Sequence, residues 1–241
     1  MRMIILYLSI IVLAVSCGVV WGIQYNRNHV FPFLMVQSIK SYFGIKPNFT
    51  IRNIEVEAKA QIYASFNRKA NIVMIGDSLT DIAEWSDIFP NASIVNRGIG
   101  GDTADGILSR MDGILSVGAK KAFIMVGIND LSKGTSPSDI LNDYSKIVKI
   151  LIEHGHRVYI QSTLFCNVKL EPILCKGNLN KINALNAGLE QLAKQHGLTY
   201  INLNSELSLN GQLDEIYTHD GIHLNAFGYK VWKTKIEQYI N

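Results

Sequence analysis

From Asn71 onward the chain alternates short apolar runs with longer amphipathic stretches, and this alternation limits its possible folds more than any other feature. The runs 72–75, 93–96, 122–126, 158–162 and 199–203 are short and apolar, as expected of buried strands. Helix candidates stand between them at 104–117, 139–153, 179–196 and 226–239. In 139–153, Ile140, Leu141, Tyr144, Ile147, Val148, Leu151 and Ile152 recur on one face. Strands apolar on both sides need helices on both sides. The pattern therefore predicts an α/β fold, a three-layer α/β/α sandwich with a mostly parallel five-stranded sheet. In such sheets reactive groups belong at the carboxyl ends of the strands.

The chain has 241 residues, 48% of them hydrophobic, enough for one sizeable core over 71–241 after a leading segment is set aside. The formal charge is +3, or +2 without Arg2 (3 − 1 = 2), and it is spread without basic blocks. That balance gives no reason to expect a nucleic-acid partner.

The N-terminus differs in kind. No residue from Met3 to Asn26 is charged, and 3–23 is almost wholly apolar. About 20 apolar residues span a bilayer as a helix, whereas a cleaved signal has an apolar core of about 7–15. Residues 1–23 therefore read first as an uncleaved transmembrane anchor and second as a signal segment. Ala14-Val15-Ser16-Cys17 loosely resembles a lipoprotein cleavage site, but Ala14 stands where Leu is preferred and the apolar run continues through Trp21. Either reading attaches the chain to a membrane. Arg2 precedes the span while Arg27, Lys40 and Lys46 follow it, so charge asymmetry does not set the orientation. Residues 24–70 read as a linker ending in a lead-in helix at 54–66. Its apolar part, 30–43, fits packing on the domain or lying on the membrane. Cys166 and Cys175 flank a loop-like stretch where a disulfide can close in an oxidising compartment; two free thiols is the other reading.

Four segments carry chemistry. Gly76-Asp77-Ser78-Leu79-Thr80 follows the first strand, Asn96 to Thr103 the second, Gly127 to Asp130 the third, and Asp220 to His223 comes last. They hold a hydroxyl nucleophile, a glycine turn, an amide donor and an acid/His pair, the parts needed for acyl transfer through a serine. Taken alone, Ser78 is equally an ordinary helix cap, and Asn129 and the glycines are ordinary turn residues. His223 stands three residues after Asp220, which lets the carboxylate hold the imidazole. His219 is its rival beside Asp220, while His29 belongs to the linker and His154, His156 and His196 read as surface or cap residues. Asp77, Asp102 and Asp130 read as capping carboxylates, and no His or Cys cluster has metal-ligand spacing, so neither metal nor cofactor is expected. The G-x-S-x-G elbow of α/β-hydrolases is missing around Ser78. Leu79, Trp85, Phe165 and Ile222 fit either an acyl pocket or the core.

The order and wording of GDSLT, NRGIGGDT, GIND and DGIHLN resemble the SGNH hydrolases, or GDSL esterase/lipase family, from Asn71 to the C-terminus. The wording is closest to small extracytoplasmic lysophospholipase/thioesterase and carbohydrate acetylesterase members. The resemblance implies Ser78, Asp220 and His223 as catalytic residues. It also implies the Ser78 and Gly101 amides with the Asn129 side chain as oxyanion donors. The expectation is a membrane-anchored serine ester hydrolase facing the periplasm or cell surface, acting on a small-molecule, glycan or lipid ester. Two alternatives stand beside it: an O-acetyltransferase for a cell-surface polysaccharide, and a catalytically silent binding module.

Overall fold

A computed structural model describes residues 51–66 and 68–240. A lead-in helix α1 (Ile51–Ser65) precedes β1 (Ile72–Gly76), α2 (Ser78–Ile82), α3 (Trp85–Ile88), β2 (Ile94–Gly98), α4 (Ala104–Ser109), α5 (Met111–Leu115) and β3 (Lys121–Met125). Then come α6 (Ile128–Ser132), α7 (Pro137–Glu153), β4 (Arg157–Gln161), α8 (Pro172–Cys175), α9 (Leu179–Gln195), β5 (Thr199–Ile201) and α10 (Asn204–Leu207). A hairpin of β6 (Ser208–Leu209) and β7 (Gln212–Leu213), a 3₁₀ turn (Glu215–Tyr217) and α11 (Ala226–Ile240) complete the chain. The main sheet has five strands in the order β2-β1-β3-β4-β5, every pair parallel.

Side-chain alternation along each strand creates the layers. Val73, Ile75, Val95, Ala122, Ile124, Val158 and Ile160 point to one face, where α4, α5, α7 and α9 cover them. Ile72, Met74, Ile94, Phe123, Met125, Tyr159 and Ile201 point to the other, under Leu79, Trp85, Leu207, Trp232 and Ile236. This is the expected three-layer sandwich. Leu79 and Trp85 are core residues at 2% exposure, and Phe165 and Ile222 pack partly buried against the core. The membrane segment expected at 1–23 lies outside the described residues, as does the linker through 50. Among the described residues no helix is long and apolar enough to cross a membrane.

Two expectations change in detail. The helix expected over 104–117 breaks at Arg110, which has a non-helical backbone (φ −118°, ψ 23°). Its guanidinium turns back to Asp102, with Nε 2.7 Å from Oδ2. The fifth strand stops at Ile201 because the Ser162 hydroxyl, not a strand neighbour, accepts the Leu203 amide at 2.9 Å.

Cys166 and Cys175 are disulfide-bonded, their Cα atoms 5.7 Å apart. The bridge closes a segment that contains the buried Asn167. That side chain accepts from the Lys169 and Leu170 amides and donates to the Leu213 carbonyl at 2.8 Å. Replacing both cysteines by alanine is expected to lower unfolding free energy by about 2–3 kcal/mol, the loop-closure value for so short a ring. A denaturant titration of the double variant against the parent chain reads this directly.

Candidate active site

The site begins where β1 stops. Asp77 caps α2 by accepting the Leu79 amide at 3.1 Å, which makes Ser78 the first residue of the helix. So short a helix leaves its carbonyls without helical partners, and side chains from elsewhere supply them. Asn96 Nδ2 donates to the carbonyls of Thr80, Asp81 and Ala83 at 2.9, 3.0 and 3.1 Å. Trp85 Nε1 donates to the Thr80 carbonyl at 2.9 Å, and Tyr229 Oη to that of Leu79 at 2.8 Å. Ser78 is thus fixed at the carboxyl end of β1.

Ser78 Oγ lies 2.9 Å from His223 Nε2, and His223 Nδ1 lies 2.6 Å from Asp220 Oδ2. The other Asp220 oxygen accepts the amides of Ile222 and His223 at 2.9 and 2.8 Å. Burial works to raise the Asp220 pKa, but the His223 hydrogen bond and these two amides outweigh it and hold the carboxylate below its usual value. Thr218 secures the same loop, donating to the His223 carbonyl at 2.7 Å and accepting the Gly221 amide at 2.9 Å. His219 is exposed, and it is His223 that faces Ser78. His156, expected at the surface, is buried at 6% exposure, and that burial, with His154 nearby, pushes its pKa down.

Across from the serine, Gly101 adopts φ 79°, a left-handed conformation that glycine enters without strain. Asn129 Nδ2 donates to the carbonyl of the next residue, Asp102, at 3.1 Å. An amide nitrogen carries two hydrogens, so this bond leaves Asn129 a second donor. Gly127, at φ 137°, permits the turn before Asn129, because a Cβ there would meet Leu185 and Thr163.

Three buried carboxylates act as loop ties. Besides Asp77, Asp130 accepts the Ala104 amide at 3.1 Å, and Asp102 accepts the Thr103 amide and the Arg110 guanidinium. Burial pushes Asp77 up to about 7 and Asp130 up to about 6, and it also raises Asp102. Among the described residues no group of His, Cys, Asp or Glu is arranged to hold a metal ion.

Residues 74–231 match the GDSL-like lipase/acylhydrolase family, the SGNH hydrolases. The chain belongs to this family. Solved structures with the same fold include a Streptococcus pneumonia protein named for platelet activating factor, with a TM-score of 0.75 and 24% identity over 86% of this chain and 99% of that one. A GDSL-like lipase from Bacteroides thetaiotaomicron has a TM-score of 0.68 and 22% identity, covering 77% and 96% of the two chains. Among curated proteins, N-acylneuraminate cytidylyltransferase of Streptococcus agalactiae is 24% identical over 73% of this chain. The chain spans only 40% of the length of that relative.

Several residues of this family member that shape the site carried no functional expectation in the sequence. Asn96, Asn167, Thr218 and Tyr229 act through contacts distant in sequence or through backbone carbonyls. Thr218, two residues before Asp220, and Asn96, the first residue of the NRGIGGDT segment, had a local signal.

The raised pKa of Asp77 has a measurable consequence. Its folded value of about 7 lies above the ordinary 3.8, so between these pH values the folded chain holds a proton that the unfolded chain has lost. Stability contributed by this group therefore falls as pH rises from about 4 through about 7. Asp77→Asn keeps an N-cap acceptor that never ionises. It is expected to flatten that fall, narrowing the pH 5 to pH 8 stability difference by on the order of 1–3 kcal/mol, read by urea titrations at both pH values.

Proposed function

We propose that the chain is a carboxylic ester hydrolase in which Ser78 is the nucleophile, His223 its base and Asp220 the residue that orients the base. The observation that carries the reading is the continuous Ser78–His223–Asp220 hydrogen-bond chain, at 2.9 and 2.6 Å. With Nδ1–H donating to Asp220, His223 Nε2 presents its lone pair to the Ser78 hydroxyl. His223 removes that proton as Ser78 Oγ attacks the ester carbonyl, and Asp220 stabilises the imidazolium. The developing oxyanion is received by the amides of Ser78 and Gly101 and by Asn129 Nδ2. His223 then protonates the departing alcohol, an acyl-Ser78 forms, and water activated by the same histidine releases the acid.

The setting is read as extracytoplasmic and membrane-attached. The apolar stretch 3–23 supports the attachment, and the Cys166–Cys175 disulfide supports an oxidising compartment. A mainly apolar groove of about 650 Å³ runs beside α2 and the start of α11. Ile82, Leu224, Ala226 and Tyr229 contribute to its lining, with Lys230 and Lys233 among its polar members. Ile82 follows Ser78 by one helical turn and Leu224 adjoins His223, so the groove suits the uncharged part of an ester substrate.

The test is hydrolysis of p-nitrophenyl acetate, butyrate, octanoate and palmitate. Ser78→Ala and His223→Ala are each expected to lower kcat by about 10⁴-fold or more. Acetate selectivity would indicate a deacetylase, and long-chain preference a lipase or thioesterase. Equal rates in parent and Ser78→Ala would remove Ser78 from the mechanism. Preferential transfer of acetyl to a sugar acceptor over water would move the function to O-acetyl transfer.

A further inference from the structure

Helix α1 lies outside the residues that match the family, 74–231, yet it grips the turn that carries an oxyanion donor. The turn Gly98-Ile99-Gly100-Gly101 has three glycines in four positions, so its backbone is intrinsically loose. Tyr63 Oη donates to the Gly98 carbonyl at 3.1 Å, which ties the peptide between residues 98 and 99. The Gly100 amide donates to Asp81 Oδ2 at 2.9 Å, which ties the next peptide. The other oxygen of Asp81 is bound by Lys59 Nζ. With these two peptide planes held, the Gly101 amide is the next unit along the chain.

Lys59 and Tyr63 are four residues apart and so share one face of α1. The helix is itself seated on the domain. Arg97 lies over the Tyr63 ring at 4.6 Å and donates to the Gly113 carbonyl at 3.2 Å. A Cβ on Gly113 would meet the Ala64 amide nitrogen at 3.3 Å, so helix and domain are in close contact there. Asp81 stands three residues after Ser78 on α2. It therefore links the nucleophile's helix, the glycine turn and α1.

We propose that Lys59 and Tyr63 are positioning residues for the oxyanion hole, acting through Asp81 and the Gly98 carbonyl. The inference rests on the acyl-enzyme reading of Ser78. An oxyanion forms only as the transition state is approached, so a misplaced donor costs kcat and leaves KM alone.

The experiment uses the full chain and the variants Lys59→Met, Tyr63→Phe and Lys59→Arg, with Ile62→Ala on an exposed part of the same helix as the control. It measures kcat and KM for p-nitrophenyl acetate, the rate at which a fluorophosphonate inactivates Ser78, and the thermal unfolding temperature. Lys59→Met and Tyr63→Phe are expected to lower kcat and the inactivation rate together by about tenfold, a part of what losing a whole donor costs, at unchanged KM. Lys59→Arg, which keeps the charge, and Ile62→Ala are expected to stay within about twofold of the parent. Lower thermal stability with kcat and labelling intact would overturn the inference, as would a rise in KM alone. If Ser78→Ala abolishes activity while the α1 variants match the parent, this inference alone fails. If the parent chain neither turns over nor labels at Ser78, the acyl-enzyme reading fails and takes this inference with it.

Discussion

The arrangement depends on a steric constraint at the ends of two adjacent strands. At Gly76, which closes β1, a Cβ would overlap the Thr80 side chain and the Met125 carbonyl; at Gly98, which closes β2, it would overlap the Asp81 backbone. Only with both side chains missing does α2 lie directly against the sheet edge. That closeness brings the carbonyls of Thr80, Asp81 and Ala83 within reach of one side chain, Asn96, on the neighbouring strand. The helix that carries Ser78 is short, and its rigidity comes from the sheet beneath it.

The histidine side of the site is built by different means. Its loop lies well beyond the last strand of the sheet and is held by docking. Gly221, at φ 88°, sits so close to the 167–171 segment that a Cβ would come within 2.9 Å of Leu170 Cβ. The Asn167 amide donates to the Gly221 carbonyl at 2.8 Å, and the Cys166–Cys175 bridge closes the segment that presents Asn167. Between the two halves lie Asp77, Asp102 and Asp130, whose burial is unfavourable to their charged forms. Each still accepts at least one backbone amide at a turn, so the loops around the donors are ordered at some cost in carboxylate solvation.

Much of the fold was legible because alternation along a strand maps directly onto layers. Val73 and Ile75 against Ile72 and Met74 already define two faces of β1. Where the reading slipped, tertiary contacts overrode local pattern: the Arg110 guanidinium breaks a helix to reach Asp102, and the Ser162 hydroxyl ends β5. The β6–β7 hairpin did have a local signal, Asn210-Gly211, with both residues at positive φ in the two-residue turn. For the site, Ser78 and His223 are 145 positions apart, and no spacing rule joins them. The motif resemblance supplied that pairing, whereas the three residues between Asp220 and His223 suggested a local contact on their own. Asp81 and Asn167 were silent because the Gly100 amide and Lys59 ammonium that meet Asp81, and the Leu213 carbonyl that meets Asn167, are brought near only by folding.

The most direct measurement is the crystal structure of the chain inactivated by a fluorophosphonate, with the labelled peptide identified by mass spectrometry. Phosphorus bonded to Ser78 Oγ is expected, with one phosphonyl oxygen within about 3.1 Å of the Ser78 and Gly101 amides and Asn129 Nδ2. His223 should remain hydrogen-bonded to Asp220. Label on another residue, or a phosphonyl oxygen turned away from Gly101 and Asn129, would contradict the account.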